Sequence, residues 1–464
     1  MTPIQADVRE GEYGERVLAV EPGGAELIPL SERHGTPLQL FWTWMSPNLE
    51  FATIYVGVLA VAVFGLSFWQ AVLAIVLGTG LGALTQGLLS ARGPAFGVPQ
   101  MVLSRISFGY LGNVLPAGLN AVTASMGWFA VNSVSGALAL AALTHMSKVL
   151  SLVIIVAVQL AVAFFGHNLV HVFERYAFPA LAVVFAVATV IILSKAHLGA
   201  GGKPIPGAFL ITVGATFGYA AGWNPYAADY TRYLPPSTSR RAVGRWAGLG
   251  VFVSCVVLEV VGAASATLPG KGNPTEAFTS QLPSLAGKLT LLAIALGAVA
   301  ANVINVYSGA MSFLAMGIRL PLALRRAIIA VAAGTVGFVL ALNGLNDPSK
   351  YENFLLVIAY WIGPWLGVYL TDWYLRSGNR VDGFLFDRRH NPWAGPVAML
   401  IAMAVSILLF ANQVKYTGLV PKHYPKFGDI AFEVGFVLAA ALYYGFYRLQ
   451  HDRKSEELVM PAAA

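Results

Sequence analysis

The sequence predicts an all-α membrane protein with twelve transmembrane helices, and three observations lead to this prediction. The chain has 464 residues, of which 57% are hydrophobic and 11% charged, whereas soluble domains carry about 25% charged residues. Its apolar residues form blocks of roughly 20, the length at which a helix crosses the ~30 Å hydrocarbon core. The blocks are continuously apolar rather than alternating, which favours helices over the strands of a barrel.

The loops between the predicted spans divide the basic residues unequally. Placing both ends of the chain on one side gives that side 20 lysines and arginines and leaves 9 for the other. The positive-inside rule therefore predicts cytoplasmic termini in the cell (inner) membrane. The one cysteine, Cys255, excludes a disulfide framework. The predicted spans, numbered 1 to 12, are 39–63, 67–89, 113–142, 147–166, 172–194, 207–230, 243–268, 287–316, 320–343, 352–375, 394–411 and 430–448.

Two of these spans are interrupted at matching places. Span 1 contains WMSPN at 44–48, and span 6 contains GWNPY at 222–226. Proline removes a backbone donor from a helix, and the freed carbonyl groups need polar partners inside a membrane, so Ser46 and Asn48 are candidate binding residues. Paired breaks in halves of opposite topology are typical of the midplane site of a secondary transporter. The alternative is two unrelated kinks.

One face of span 3 combines a tryptophan with small and polar side chains. Asn120, Ala124, Trp128 and Asn132 recur at helical spacing, and Ser125 lies beside them. A flat aromatic ligand could stack on the tryptophan ring and form hydrogen bonds at its own edge. The alternative is ordinary helix packing through small residues.

Span 8 carries two asparagines that share a helix face. Asn302 and Asn305 are three residues apart, and each amide offers both donors and an acceptor. This chemistry matches the edge of a nucleobase, which bears carbonyl, ring nitrogen and amine groups. The alternative is hydrogen bonding between helices.

Two carboxylates lie inside apolar spans. Glu50 is ~16 Å into span 1 by helical rise, and Glu259 is central in the VVLEVV run of span 7. Ionised carboxylates are costly at that depth, so both are candidate proton carriers; the alternative for Glu259 is a neutral acid bonded to a neighbouring helix. Two further acids precede arginines at span ends and are expected to form structural or gating ion pairs: Asp229 with Arg232, and Asp372 with Arg376.

Several motifs together resemble the purine–cytosine permeases, which belong to the nucleobase–cation symporters. The most specific is GWNPYAADYTRYLP at 222–235. The others are WMSPN with Gly57 in span 1, PQMVLSRISFG at 99–109, MGW at 126–128, NVINVYS at 302–308 and YW at 360–361. The resemblance extends over about residues 40–376, nearly the whole core.

The resemblance implies a leucine-transporter-like fold of two inverted five-helix repeats plus two extra helices, with discontinuous helices 1 and 6. We therefore expect a cytoplasmic tail over 1–36, the first repeat over 37–200, the second over 201–380, helices 11 and 12 over 381–450 and a second cytoplasmic tail over 451–464. The first tail is polar and acidic and is not expected to be a signal peptide.

The resemblance also implies how the substrate is held. In relatives the base lies between the span 3 tryptophan, which falls on Trp128, and an aromatic residue of span 6. A substrate-binding glutamine of the cytosine permeases falls on Ser125 here, which weakens the case for cytosine. The implied span 6 positions are Phe217 with its neighbours Thr216 and Gly218, with Tyr219 or Trp223 as the alternative aromatic.

The coupling ion follows from a departure in span 8. Sodium-coupled relatives carry hydroxyl side chains there, at the stretch that is GAVAA over 297–301 in this chain. The missing hydroxyls favour H⁺ as the coupling ion, with Na⁺ as the alternative. Tyr360, in the span 10 motif, is a further candidate for coupling or gating.

The sequence thus predicts a symporter that imports a nucleobase, either a purine or cytosine. The alternatives are a transporter of another small heterocycle (allantoin, hydantoin, thiamine or pyridoxine-like) and an amino-acid transporter of the same fold. We expect no enzymatic activity and no cofactor. The expected partners are the substrate and the lipid bilayer, with no nucleic acid and no known protein partner. No phosphate-binding glycine loop is present, and the spacing of His167 and His171 is not expected to indicate a metal site.

Overall fold

The computed structural model describes residues 25–459, except 166, 271, 319–321, 346–349 and 378–380. For residues 162–177, 322–330, 332–333, 382 and 451–459, the structure describes the backbone but not the side chains, apart from residue 166, which is not described at all. The predicted tail over 1–36 therefore lies mostly outside the description, as do the side chains of His167 and His171. In the predicted tail over 451–464, the helix of span 12 continues to Val459, and 460–464 lie outside the described residues.

Helices occupy all twelve predicted ranges. Within the described residues, six helices are individually long and apolar enough to cross a membrane, and the bent pair of span 1 makes a seventh. Of the remaining spans, span 6 is broken and span 11 has a shorter apolar helix, Ala394–Phe410, while the side chains of spans 4 and 9 are described only in part. The helices of the unbroken spans are Phe68–Ser90, Lys148–Phe165, His167–Lys195, Arg240–Ser265, Ser284–Ala315, Leu322–Gly344, Lys350–Leu375, Ala394–Phe410 and Ala431–Val459.

The two predicted breaks are present. Span 1 consists of Gln39–Met45, a 3-10 turn at Ser46–Asn48, Phe51–Val58 and a π-helical turn at Leu59–Val63, and it bends by 64°. Span 6 consists of Ala208–Ala221, a 3-10 turn at Asn224–Tyr226 and the short helix Ala227–Thr231. Each 3-10 turn contains the proline that removes a backbone donor.

Span 3 is continuous but locally underwound, with a wider helical turn in its middle. Helix Val114–Val122 passes through a π-helical segment, Thr123–Trp128, into helix Phe129–Thr144. Such single-turn π segments commonly occur at functional sites. This one carries Ser125 and Trp128, two of the predicted binding residues.

The connections contain short elements that the apolar pattern did not reveal. A two-stranded antiparallel hairpin pairs Asn412–Gln413 with Tyr416–Thr417, placing Asn412 opposite Thr417. The short helices are Gly93–Phe96, Gln100–Leu103 and Arg105–Gly112 before span 3, Pro274–Thr279 before span 8 and Leu419–His423 before span 12.

Glycines set the closest helix contacts around the span 1 break. A Cβ at Gly57 would lie 1.7 Å from the carbonyl oxygen of Glu259, and one at Gly262 would lie 1.8 Å from that of Ile54. Small residues allow helix backbones to approach in a membrane. Span 1 is therefore pressed against span 7, which leaves its other side for spans 3 and 8.

Candidate functional site

The two broken helices meet through Asn48. Its amide nitrogen donates to the Trp44 carbonyl oxygen at 2.8 Å, and its oxygen accepts from the Trp223 ring nitrogen at 2.9 Å. One break thus supplies a partner for the other, as buried polar groups in a membrane require. The Ser46 hydroxyl, in the same 3-10 turn, is buried and has no hydrogen-bond partner among the described residues.

Trp128 lies directly against the break in span 6. A Cβ at Gly222 would be 3.1–3.2 Å from two atoms of its ring. The ring also makes edge-to-face contacts with Tyr219, Phe354 and Tyr351, at centroid distances of 5.4, 5.1 and 6.4 Å. The structure therefore places Trp128 where the sequence predicts it, facing the interrupted helix.

Phe217 does not approach Trp128. It stacks on Phe432 of span 12, with a centroid distance of 4.1 Å and an interplanar angle of 11°. Tyr219 is the span 6 aromatic that reaches the Trp128 ring. Successive helical residues point about 100° apart, so the face that meets span 12 cannot also meet span 3.

The two neighbours of Phe217 also face other helices. The Thr216 hydroxyl lies 2.1 Å from where a Cβ at Gly78 in span 2 would stand. A Cβ at Gly218 would lie 2.2 Å from the carbonyl oxygen of Leu355 in span 10. Thr216 and Gly218 therefore serve close helix packing, and the structure does not bring them to Trp128.

The span 8 asparagines have different partners. The Asn302 nitrogen donates to the Phe129 carbonyl oxygen at 2.9 Å and to the Ser133 hydroxyl at 3.2 Å. Its oxygen accepts from Asn132 at 3.0 Å and from Asn305 at 3.4 Å. Asn302 is thus bound to span 3 on both sides of its amide.

Asn305 faces the break of span 6. Its oxygen accepts a hydrogen bond from the Tyr226 hydroxyl at 3.4 Å, and Tyr226 belongs to the 3-10 turn. This contact and the contact of its nitrogen with the Asn302 oxygen, also at 3.4 Å, are both long. They are therefore weaker than the shorter hydrogen bonds of Asn302 to span 3. Asn305 is the span 8 amide that is better able to exchange its partners for a substrate.

The rest of the span 3 stripe packs against span 8. The Ser125 hydroxyl lies 1.8 Å from where a Cβ at Gly309 would stand. The Asn120 nitrogen donates to the Ser312 hydroxyl at 2.7 Å. The packing alternative therefore accounts for Asn120, and Ser125 lies at the interface between span 3 and span 8.

Glu50 is buried at the centre of this arrangement. It is 1% exposed and follows the span 1 break with extended backbone, φ −146° and ψ 171°. The Tyr219 hydroxyl donates to its Oε1 at 3.3 Å. One end of the Asn132 amide lies 3.1 and 3.3 Å from its two oxygens. Glu50 therefore contacts spans 3 and 6 at once.

Glu259 lies in a different environment. Its Oε2 accepts from the Thr79 hydroxyl of span 2 at 2.6 Å, and its Oε1 has no partner among the described residues. It has no described hydrogen bond to Trp128, Asn305 or Glu50. The predicted alternative, an acid bonded to a neighbouring helix, agrees with this contact.

Asp229 and Arg232 have partners other than each other. Asp229 accepts from the Gln100 backbone N–H at 2.9 Å. Arg232 donates to the hydroxyls of Tyr233 and Tyr307, each at 3.1 Å. No direct ion pair joins the two side chains within the described residues. They connect the end of span 6 to the segment before span 3 and to span 8.

The remaining predicted pair and Tyr360 lie near span 12. Asp372 and Arg376 form the expected ion pair at 2.6 Å. The Tyr360 hydroxyl donates to Asp429, a buried acid that also accepts from the Asn412 N–H at 2.6 Å. The structure thus places Tyr360 in a contact between spans 10 and 12 rather than beside Trp128.

An apolar cavity of about 230 Å³ lies beyond the rings that cover Trp128. Tyr351 and Phe354 separate it from Trp128 and line its wall. Pro274 and Lys350, from loops predicted to be external, also line it. The cavity is a candidate entry path that two aromatic side chains close.

Sequence reasoning missed Tyr351, Phe354 and Asp429. The two aromatics stand at the start of span 10, among the polar residues Lys350, Glu352 and Asn353, and nothing in this short segment indicated that they would cover a site. Asp429 directly precedes span 12, where an acid is expected to be exposed. No group of three or more potential metal ligands occurs among the described residues.

Comparison with known proteins agrees with the motifs. The family model described as "Permease for cytosine/purines, uracil, thiamine, allantoin" matches residues 27–435. A Bacillus subtilis (strain 168) protein, provisionally named a purine-cytosine permease, is 33% identical over 92% of this chain and 96% of its own. The purine-cytosine permease of Emericella nidulans is 30% identical, over 92% and 88%.

A solved structure confirms the fold. A nucleobase-cation-symport-1 family transporter, in a closed conformation with bromovinylhydantoin bound, superposes with a TM-score of 0.73 at 20% identity. The match covers 92% of this chain and 95% of the other. The predicted leucine-transporter-like architecture is therefore correct, and the relatives are permeases rather than enzymes. By the extent of the family match and the identity of its relatives, this chain belongs to the family of permeases for cytosine, purines, uracil, thiamine and allantoin.

Proposed function

We propose that this permease imports a planar nucleobase, a purine or cytosine, together with a proton. The observation that carries the proposal is the position of Trp128, whose ring packs on Gly222 at the span 6 break. Asn305 faces the same break from span 8 through Tyr226. An aromatic face next to an amide with weak partners suits a flat ring with polar edges.

The polar groups around the breaks favour a base over an amino acid. They are amides and hydroxyls, such as Asn48, Asn305 and Tyr226, together with one acid, Glu50. An amino acid would require partners for both its ammonium and its carboxylate. Other heterocycles remain the second candidate, because similar proteins include a vitamin B6 transporter of Saccharomyces cerevisiae and a hydantoin permease of Microbacterium maritypicum.

Two contacts support the proton as coupling ion. Glu50 touches both span 3 and span 6 beside the break, so its charge can respond to their movement. Span 8 packs its backbone on the span 1 break: a Cβ at Gly297 would be 2.5 Å from the Leu49 carbonyl oxygen. No hydroxyl side chain of residues 297–301 is available there for a sodium ion.

Transport into reconstituted vesicles tests the substrate and the ion together. Radiolabelled purines, cytosine, uracil, allantoin and hydantoin are offered with pH and sodium gradients imposed separately. We expect uptake of a purine or cytosine that rises as external pH falls, collapses with a protonophore and ignores sodium. Uptake that needs sodium and survives the protonophore would refute proton symport.

Two isosteric variants test which acid carries the proton. Glutamine resembles a protonated glutamate but cannot release a proton. Glu50→Gln should retain binding and counterflow exchange but lose accumulation against a gradient, whereas Glu259→Gln should still accumulate substrate. The opposite pattern would assign the proton to Glu259, which the sequence also nominates.

The proposed orientation places both termini in the cytoplasm of a cell (inner) membrane. Its support is the division of lysine and arginine into 20 on one side and 9 on the other. The cavity bordered by Tyr351 and Phe354 would then open toward the outside, in agreement with import.

A further inference from the structure

A chain of buried hydrogen bonds joins Glu50 to the span 8 asparagines, and one of its ends is fixed. The carbonyl oxygen of Phe129 can only accept, so the Asn302 atom 2.9 Å from it must be the amide nitrogen. The oxygen of Asn302 is consequently turned toward Asn132. All three asparagines, Asn132, Asn302 and Asn305, are at most 1% exposed.

The fixed end determines how Asn132 must point. The Asn302 oxygen lies 3.0 Å from one end of the Asn132 amide, and two acceptor oxygens would repel each other at that distance, so the nitrogen of Asn132 faces it. The oxygen of Asn132 then faces Glu50, at 3.1 Å from Oε2 and 3.3 Å from Oε1. An ionised Glu50 would set acceptor against acceptor, whereas a protonated Oε2 donates to Asn132. Oε1 remains free to accept from Tyr219.

We propose that Asn132 and Asn302 form a hydrogen-bond relay through which the proton on Glu50 sets the orientation of Asn305. The last link is the bond of 3.4 Å from the Asn305 nitrogen to the Asn302 oxygen. With Glu50 protonated, every amide in the relay has a donor facing an acceptor. Asn305 is then held with its oxygen toward Tyr226.

Loss of the proton disrupts the relay. The Asn132 amide turns its nitrogen to the carboxylate, which places its oxygen 3.0 Å from the Asn302 oxygen. Asn302 cannot turn in response without leaving the Phe129 carbonyl oxygen opposite another acceptor. The strain is therefore relieved by displacement of Asn302, and Asn305 loses its defined orientation. Proton and base consequently favour the same state, and each tightens the binding of the other.

The titratable groups around Glu50 carry no charge that would override its contact with the Asn132 amide. The titratable side chains that act on it are Tyr219 of span 6, Tyr351 of span 10 and Cys255 of span 7. Tyrosine and cysteine are ordinarily neutral at physiological pH. No lysine or arginine forms an ion pair with Glu50 within the described residues. Glu259, also on span 7, is bonded to span 2 instead.

Infrared difference spectroscopy of the purified protein without any base tests the relay itself. Subtracting Glu50→Gln identifies the carbonyl band of the protonated Glu50. We expect this band at neutral pH, and its loss on raising the pH should change the side-chain amide bands. Asn132→Leu should abolish that amide response, while Asn343→Leu, an exposed asparagine bonded to its own helix, should leave it intact. An ionised Glu50 at neutral pH, or an unchanged response in Asn132→Leu, would overturn the relay.

The link to Asn305 rests on the proposed function and is tested by binding of radiolabelled adenine and cytosine. Wild type should lose affinity as pH rises, by about 5- to 150-fold, the range of typical coupling between sites. Glu50→Gln should bind tightly at every pH, and Asn132→Leu should bind weakly with no pH dependence. Unaltered pH dependence in Asn132→Leu would refute the link. If neither base binds at any pH, the substrate proposal fails, while the infrared result still decides the relay.

Discussion

Trp128 and Phe217 are both buried aromatics that the family resemblance places at the substrate, yet their surroundings differ. Trp128 meets Gly222 and three aromatic edges at the span 6 break, whereas Phe217 is stacked on Phe432. The Trp128 ring lies at the break of span 6, whose polar groups can exchange their hydrogen bonds for a substrate. The Phe217 ring fills a packing contact between spans 6 and 12. The two side chains therefore lead to opposite expectations on removal.

Trp128→Ala should weaken base binding while leaving the protein folded. Losing one stacking ring costs on the order of 1–3 kcal/mol when aromatic side chains stack on bases. Binding of the transported base and thermal unfolding of the base-free protein are measured side by side. Unchanged affinity in this variant would rule out stacking on Trp128.

Phe217→Ala provides the matched comparison. Removing a buried phenylalanine typically costs 3–5 kcal/mol of stability, so its unfolding temperature should fall clearly. Its folded fraction should bind the base with wild-type affinity, because Phe217 faces span 12. A selective loss of affinity would return Phe217 to the substrate-binding set.

Asn305→Ala should blunt discrimination between bases as well as weaken binding. A site that pairs polar edges rejects analogues that leave its groups unpaired, and Asn305 is the amide whose partners are all long. Competition by a panel of purines and pyrimidines measures the effect. Asn343→Ala is the control, and wild-type selectivity in Asn305→Ala would remove span 8 from base recognition.

At the scale of elements, glycines determine how closely spans 1 and 7 approach each other. Gly57 and Gly262 bring spans 1 and 7 to backbone contact, which holds the part of span 1 that follows the break against span 7. The motifs indicated Gly57 as characteristic of the family, and the contact with Glu259 gives the physical reason. Helix ends were less well predicted: the last helix continues to Val459 rather than ending at 448, because polar residues can extend a helix beyond its apolar part.

Gly57→Ala should strongly destabilise the protein. The added Cβ would stand 1.7 Å from the Glu259 carbonyl oxygen, a backbone atom that cannot move without separating spans 1 and 7. Thermal unfolding in detergent measures the effect. Gly80→Ala is the control, since its Cβ would meet only the Phe252 ring at 3.7 Å, and it should be neutral or slightly stabilising. Equal stability of the two variants would show that spans 1 and 7 are not in such close contact.

At the scale of the whole molecule, the orientation in the membrane can be tested with cysteine chemistry. Cys255 is the one cysteine of the chain and is buried, so an added surface cysteine should be labelled selectively. Gly201→Cys lies in a predicted external loop with open space around it, and Ser237→Cys lies in a predicted cytoplasmic loop. An impermeant maleimide should label Gly201→Cys in intact cells and Ser237→Cys only after permeabilisation. The reverse result would invert the proposed topology.

The sequence by itself determined the class, the helices and the breaks. Apolar blocks, prolines and the GWNPY and WMSPN motifs act locally, because a helix in a membrane satisfies its backbone internally and a proline interrupts it wherever it stands. The family followed from the same motifs. Trp128 could be predicted because one ring among small and polar residues at helical spacing defines a face without reference to any partner.

Only the tertiary structure decided which face of each helix meets the site. The rotation of span 6 turns Tyr219 rather than Phe217 toward Trp128, and it is set by close packing at Gly78 and Gly218. Likewise Asp229 and Arg232, three apart in sequence, find partners in other segments. The contact of Glu50 with Asn132 joins spans 1 and 3. Such contacts depend on how distant helices fit together, and a helical repeat in the sequence specifies spacing along one helix but not its neighbours.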